Sequence, residues 1–283
     1  GLQRGVQRWG EGDLSVRVPV HGDDEVADLS ERFNAAATRI EGLMAAQKSL
    51  LANASHELRS PLARIRMGLE LMDAPAVNAA SRESSRHEIL RNMAELDQLI
   101  DEILLASRLD AQEADIGTVE PVDLVGLCAE ECARVGALLQ VPPGTAQLEV
   151  QGVAKLLRRM VRNLLENARR YGREGVVDAA GVEDAQDALA DQGIVLSLSQ
   201  QGLHVQLQVC DHGPGVPAAY RERIFEPFFR LPGASERVGG VGLGLALVKS
   251  IAERHQGQVR CTDHAGGGAC FEVTLPQSKT ANT

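Results

Sequence analysis

The 283 residues are 44% hydrophobic and 24% charged, a globular balance that excludes collagen-like, disordered and mini-protein chains. No run approaches the roughly 18 apolar residues of a membrane span, and no charged start with an apolar core reads as a signal peptide, so the chain as given is expected to be soluble. A net charge of −10, with one Trp, two Tyr and five Phe, argues against a nucleic-acid binder, which needs a basic footprint or stacking platforms.

Five scattered cysteines, Cys128, Cys132, Cys210, Cys261 and Cys270, read as buried reduced thiols in a reducing compartment. Cys128 and Cys132 lie one helical turn apart, but no second pair of zinc-finger spacing accompanies them. The first residue is Gly and not Met, so a piece of a longer protein is expected.

Gly10, Gly12 and Asp13 break a short first segment, and Leu14, Val16, Val18 and Val20 alternate around Pro19 as an extended connector does. A long helix follows from about Leu29. Its seam positions Phe33, Ala36, Ile40, Leu43, Gln47, Leu50 and Ala54 alternate steps of four and three, as in a coiled coil, and Leu58, Leu62, Ile65, Leu69 and Met72 continue it. Leu50, Ala54, Leu58 and Leu62 are three consecutive steps of four, a phase shift next to Pro61. A loop with Pro75 and Asn78 ends the helix, and Ile89, Met93, Leu96, Ile100 and Ile103 mark a second helix folding back on it. One chain alone cannot bury two such stripes, which predicts a homodimeric, antiparallel four-helix bundle with one hairpin per chain.

After Asp110 the pattern turns α/β. Short strands are expected at 119–124 and 147–150 around a helix holding Cys128 and Cys132, then a strong helix over 153–171. Residues 172–193 carry six acids and read as a solvated insert. Strands at 194–198 and 203–210 form a hairpin about Gly202, and a Gly/Pro-rich stretch, a helix near 245–255 and strands near 258–261 and 270–275 close the chain.

Four clusters carry chemistry. His56 stands about 200° around the helix from Ala54 and Leu58 and faces solvent, with Glu57 beside it and Arg59 and Ser60 on its face. An exposed helical His alone is ordinarily just solvated. On 153–171, Leu157, Val161, Leu164 and Ala168 form a buried stripe, while Asn163, Asn167, Arg170 and Tyr171 share a polar one. Asn is a poor helix-interior residue, and its amide oxygen suits Mg²⁺. Arg170 could offset phosphate charge and Tyr171 cover a base. The bland reading is a solvated face. Against it, residues 151–173 hold seven bases and one acid, which favours an anionic ligand. Asp211-His212-Gly213-Pro214-Gly215 follows a strand with a carboxylate able to accept from an amine, and the glycine run 239–244 precedes a helix N-terminus, a place for phosphate. Each glycine cluster alone is more often a turn, and neither fits a Walker or Rossmann spacing.

In order, these segments resemble the cytoplasmic part of a two-component sensor histidine kinase. The phosphoacceptor box matches Ser55-His56-Glu57-Leu58-Arg59-Ser60-Pro61-Leu62, and the asparagine box matches residues 163–171. The first glycine box is 211–215, the phenylalanine box is Phe225-Glu226-Pro227-Phe228-Phe229-Arg230, and the second glycine box is 240–245. Residues 1–44 are similar to the end of a HAMP signal-relay module, with Asp24-Glu25 opening its second helix. The resemblance implies an α + α/β chain: a partial HAMP module (1–44), a dimerisation and phosphotransfer hairpin (45–115) and an α/β-sandwich ATP-binding domain of Bergerat fold (116–283).

It further implies that His56 takes the γ-phosphoryl group of ATP and passes it to an aspartate on a response-regulator receiver domain, with Glu57 as general base. Asn167 and Asn163 would hold Mg²⁺. Asp211 would read the adenine amine, Tyr171 would cover the ring, Arg170 would belong to the nucleotide site, and Gly213, Gly215, Gly242 and Gly244 would shape the pocket and its lid. Such transfer rests on positioning and charge stabilisation. Ser60, where the family more often has Thr or Asn, bears on dephosphorylation of the regulator. Arg170 and His212 replace a usual Lys and Asn. The implied whole is a homodimer in the cytoplasmic portion of a bacterial inner-membrane protein, its membrane segment upstream of Gly1, with no nucleic-acid partner. A chaperone- or repair-type ATPase and a catalytically silent signalling scaffold are the rivals. His56-Glu57 with Pro61 speaks against the first, and Asn167, Asp211 and Gly242 against the second.

Overall fold

The computed structural model describes residues 2–22, 24–73, 78–110, 116–145, 147–172, 193–232, 240–265 and 267–277. The chain divides into two compact units, Gly1–Met93 and Ala94–Thr283. Most of the acidic insert, Pro75 and Gly239 lie outside the described residues.

In the first unit, α1 (Leu2–Gly10) and an extended connector pack on the start of α2 (Glu25–Asp73). Asp24 opens α2 by accepting the Ala27 N–H at 3.0 Å, a side-chain cap that satisfies an otherwise orphaned donor. The connector is pinned by Asn34, whose amide oxygen accepts the Val18 N–H and whose amide nitrogen donates to the Val18 carbonyl, both at 2.8 Å. Trp9 sets its ring edge-on to Phe33 at 5.9 Å. Because Val18 is buried against Gly5, where a Cβ would come within 2.7 Å of it, the small residue permits the close approach.

Pro61 does not end α2, which continues through it to Asp73. Instead it is buried on one seven-residue line with Ala54 and Gly68, and Gly68 abuts Ile89 of α3 (Ala79–Asp110), where a Cβ would sit 2.8 Å from the isoleucine. Arg64 donates to the Asn92 amide oxygen at 2.5 Å on the same side. The expected seam therefore needs correcting in part. Leu62 and Leu69 are 53% and 51% exposed, as are Leu29, Leu43, Met93 and Ile100 to similar degrees. The hairpin uses a line one residue out of phase with those leucines, and a second apolar stripe is left over, as expected of helices that need another copy to cover them.

The second unit is built on a five-stranded sheet ordered β2-β4-β5-β7-β6, with a two-stranded ribbon β1-β3 beside it. The strands are β1 (Glu120–Asp123), β2 (Leu138–Gln140), β3 (Glu149–Gly152), β4 (Val195–Gln201), β5 (His204–Cys210), β6 (Gln258–Asp263) and β7 (Ala269–Pro276). Among the described strands β2 pairs in parallel with its neighbour β4, and the other neighbours are antiparallel. Among the described residues, three helices pack on the sheet: α4 (Leu124–Val135), α5 (Ala154–Tyr171) and α6 (Gly244–Arg254). Asp123 caps α4 by accepting from Val125 and Gly126 N–H, and left-handed Gly136 closes it. Leu157, Val161, Leu164 and Ala168 are buried to 1% or less, as the stripe on α5 required. β2 was not foreseen, since three residues carry too short an alternation to register.

Between α4 and α5 lies Glu131, a carboxylate with 3% of its side chain exposed. Arg162 grips it with two hydrogen bonds of 3.0 Å, Arg134 adds one of 3.1 Å and Arg158 one of 3.3 Å. These bonds, Arg162's above all, hold its pKa down at about 2. His255, buried after α6, accepts the Val153 N–H on Nε2 at 3.0 Å while Nδ1 faces the Ile251 carbonyl at 2.7 Å. Burial lowers its pKa, and the neutral imidazole with its proton on Nδ1 is the form that satisfies both bonds.

Candidate nucleotide site and phosphoacceptor histidine

His56 and Ser60 are exposed on α2 and Glu57 is half-buried, all three in the first unit. Ser60 accepts a hydrogen bond from Arg64 at 2.9 Å.

The other candidate residues converge in the second unit. A cavity of about 650 Å³ is lined by Asn163, Asn167, Arg170 and Tyr171 of α5, by Asp211 and Gly215 after β5, and by Gly240, Gly242 and Gly244 at the entry to α6. Gly213 is not among its lining residues but is tied to one of them: its N–H donates to Asp211 Oδ1 at 3.0 Å. Asp211 is 4% exposed. Its Oδ1 also accepts the Ala269 N–H at 3.1 Å, so two backbone donors fix this carboxylate, and its other oxygen is the one not used by those bonds. The sequence places Asp211 after a strand but carries no sign of Ala269, 58 residues away.

Asn163, only 6% exposed, is not on the solvated face of the bland reading, and its amide nitrogen donates to the Gly244 carbonyl at 3.1 Å, tying α5 to the start of α6. Asn167, one turn on, is half-buried, and Arg170 is exposed.

The glycines are there for close approach. Gly215, at φ +74°, would bring a Cβ to 3.0 Å from the Gly268 carbonyl oxygen, and Gly242, at φ +77°, would bring one to 2.8 Å from the backbone of Phe228 and Phe229. Phe228 itself stands at φ +64° and donates its N–H to Gly242 at 3.0 Å. This left-handed, non-glycine residue was not anticipated; an isolated Phe gives no sign of it. Phe229, which lines the cavity, stacks under the Arg223 guanidinium at 4.5 Å and leans on Tyr220 at 5.9 Å. The phenylalanine box thus builds one wall by packing.

The expectation for cysteines is corrected for two of them. Cys210 and Cys270 face each other across β5 and β7 and are joined as a disulfide, their Cα atoms 4.1 Å apart. Cys128, Cys132 and Cys261 are buried free thiols, and desolvation pushes the pKa of Cys132 and of Cys261 up to about 11.

Three family models match the chain: the HAMP domain at 1–42, the His Kinase A (phospho-acceptor) domain at 46–112, and the histidine kinase-, DNA gyrase B-, and HSP90-like ATPase at 152–279. The chain is 33% identical over 286 residues to sensor protein RstB of Escherichia coli, covering 97% of this chain and 59% of that protein. It is 30% identical over 285 residues to the signal transduction histidine-protein kinase/phosphatase MprB of Mycolicibacterium vanbaalenii, covering 97% of this chain and 56% of the relative. It spans less than two thirds of the length of either. Among solved structures, histidine kinase AdeS of Acinetobacter baumannii shares the fold, with a TM-score of 0.57 at 18% identity over 79% of this chain and 98% of the other. No helix among the described residues is long and apolar enough to cross a membrane. With a HAMP match, a phosphoacceptor match around His56 and an ATPase match around the glycine-rimmed cavity, in that order along one chain, the protein belongs to the two-component sensor histidine kinases.

Proposed function

We propose that this chain binds ATP in the cavity of its second unit, transfers the γ-phosphoryl group to His56, and passes it to an aspartate of a response-regulator receiver domain. The observation that carries the reading is Asp211: a buried carboxylate with one oxygen held by two backbone N–H groups is a rigid acceptor for an exocyclic amine. In the transfer, a ring nitrogen of His56 bonds to the γ-phosphorus as the bond to the β,γ-bridging oxygen breaks, and ADP leaves. Glu57, the next residue, takes the imidazole proton. The receiver aspartate then displaces the histidine, and the phosphoryl group ends as an acyl phosphate.

The residues also fit a magnesium ion. Asn163 already donates through its nitrogen to Gly244, which leaves the amide oxygen as its remaining polar atom, and Asn167 adds a second amide in the same cavity. Such neutral oxygens suit a hard cation. Mg²⁺, when bound through Asn167 and Asn163, would offset phosphate charge. Arg170 adds positive charge at the cavity edge, Tyr171 supplies a ring for the base, and Gly213, Gly215, Gly242 and Gly244 keep the backbone close to the ligand.

The uncovered apolar stripe on α2 and α3 supports a homodimer joined as a four-helix bundle, and the division into 1–44, 45–115 and 116–283 is the domain plan that suits this chemistry. The greater length of the relatives supports a membrane anchor upstream and a cytoplasmic position for this portion. Ser60, one turn from His56, is the hydroxyl suited to orient a water in regulator dephosphorylation, and the relative MprB is named a kinase/phosphatase.

Incubation with γ-labelled Mg·ATP tests the reading. Label labile in acid and stable in base is expected in the parent and absent in His56→Gln, with nucleotide affinity unchanged; acid-labile label in His56→Gln would overturn it. Ser60→Ala should keep the label yet slow phosphate loss from a phosphorylated regulator, and an unchanged rate would remove Ser60 from that role.

A further inference from the structure

The Cys210–Cys270 pair has a third neighbour that the nucleotide site does not use. A ring nitrogen of His264 and the two sulfurs all lie within 4.8 Å of one another. Three strand ends bring them together: Cys210 closes β5, Cys270 is second in β7, and His264 follows the last residue of β6. Opposed residues of an antiparallel pair lie close by construction, so the two sulfurs stay adjacent whether or not they are bonded.

We propose that Cys210, Cys270 and His264 form a binding site for a thiophilic divalent cation such as Zn²⁺, open when the pair is reduced and closed when it is a disulfide. Two thiolates and one imidazole are a common protein ligand set for zinc, with a fourth position left for water or another donor. His264 is prepared for the task. Its Nδ1 lies 3.1 Å from the Gly267 carbonyl, so Nδ1 carries the proton, Nε2 keeps its lone pair, and the ring is oriented by an outer-shell bond as metal-bound histidines usually are. The His212 ring stands edge-on to it at 4.7 Å and is a neighbouring donor for the fourth position. Cys270 is buried, whereas Cys210 and His264 are half-exposed, which leaves an entry path.

The chemistry balances. A dithiol reductant gives two electrons and two protons to the disulfide, becoming a disulfide itself and leaving two thiols. The cation then binds both sulfurs and releases two protons. Bonded sulfurs have no thiolate to offer, so the oxidised chain should not bind in this way. The inference does not depend on the nucleotide reading, because its test uses the metal alone.

Zinc binding would be measured on the whole chain by competition with a chromophoric chelator, without oxygen. The chain is first reduced by a phosphine, which takes an oxygen from water as it gives up two electrons, and the reductant is then removed. One equivalent of Zn²⁺ is expected in the reduced chain beyond what the oxidised chain binds, lost in C210S/C270S. Cys128, Cys132 and Cys261 are present in both and cancel in that comparison. His264→Gln, which leaves both cysteines in place, should weaken binding by at least about tenfold, since losing a ligand costs no less than losing an outer-shell partner. Cobalt(II) in place of zinc should give thiolate-to-metal charge-transfer absorption in the reduced parent only. If the reduced chain binds no more zinc than the oxidised chain or C210S/C270S, or if His264→Gln binds as tightly as the parent, the site does not exist as described.

Discussion

Replacing Asp211 by Asn is the most informative single change, because the structure dictates how the amide must sit. The Gly213 and Ala269 N–H groups, at 3.0 and 3.1 Å from Oδ1, require an acceptor there, so the new amide keeps its oxygen in that position and its nitrogen takes the place of Oδ2. Replacing a charged acceptor by a neutral one costs about 1 kcal/mol of stability, and the fold survives. For the nucleotide the effect is larger. A charge-assisted bond of about 1.5–3 kcal/mol is lost, and the adenine amine meets another donor, leaving both partly unsatisfied at about 1–3 kcal/mol more. The total of about 4 kcal/mol corresponds to roughly a thousandfold loss of ATP affinity. Calorimetric titration with ATP and with its inosine analogue, whose ring has a carbonyl in place of the amine, separates this cause from general damage: the variant's preference for ATP over the analogue should collapse. Unchanged ATP affinity in Asp211→Asn would refute the assignment of Asp211 as the amine acceptor.

Gly242→Ala should distort the wall at Phe228 and Phe229, because its Cβ would land 2.8 Å from their backbone, and ATP affinity should fall at least about tenfold with about 1–2 kcal/mol of destabilisation. Gly136→Ala, also at positive φ (+74°) but with nothing within 4 Å of its Cβ, carries the backbone strain alone, so nucleotide titration of the two variants should differ and equal affinities would sink the argument. Glu131→Gln removes the charge that three arginines share and should cost about 3–5 kcal/mol at neutral pH by urea unfolding. Glu131 holds its proton less tightly when folded (pKa about 2) than at its ordinary 4.5, so its contribution is complete above about pH 4.5 and lost as pH falls towards 2. The gap between parent and variant should therefore narrow by about 3 kcal/mol across that window, and a constant gap would rule out the carboxylate as its cause.

Much of the site was legible because short-range pattern and chemistry coincide there. His56 next to Glu57 on a solvent-facing helix position, and asparagines on a helix that is otherwise mostly basic and apolar, are local signals. What stayed hidden was set by contacts between distant residues. The second backbone donor to Asp211 comes from Ala269, the partner of Asn163 is the carbonyl of Gly244, and the cross-strand meeting of Cys210 and Cys270 depends on the register of β5 and β7. Periodicity found the helices of the first unit but not which apolar line each would bury. Gly68 and Pro61, neither of which scores as a seam residue, lie on the inner line, and at Gly68 the close packing of Ile89 leaves no room for a side chain.

The uninterrupted course of α2 from Glu25 through His56 makes spacing along it a matter of angle as well as distance. At about 1.5 Å and 100° per residue, the 31 positions from Glu25 to His56 make a shaft of roughly 46 Å, on which one inserted residue turns the imidazole through more than a quarter circle. Seven inserted residues return it to within about 20° of its bearing. Natural length variation upstream of His56 should therefore be tolerated in whole heptads, and the phase in which α2 leaves its Asp24 cap fixes the direction in which the histidine is presented.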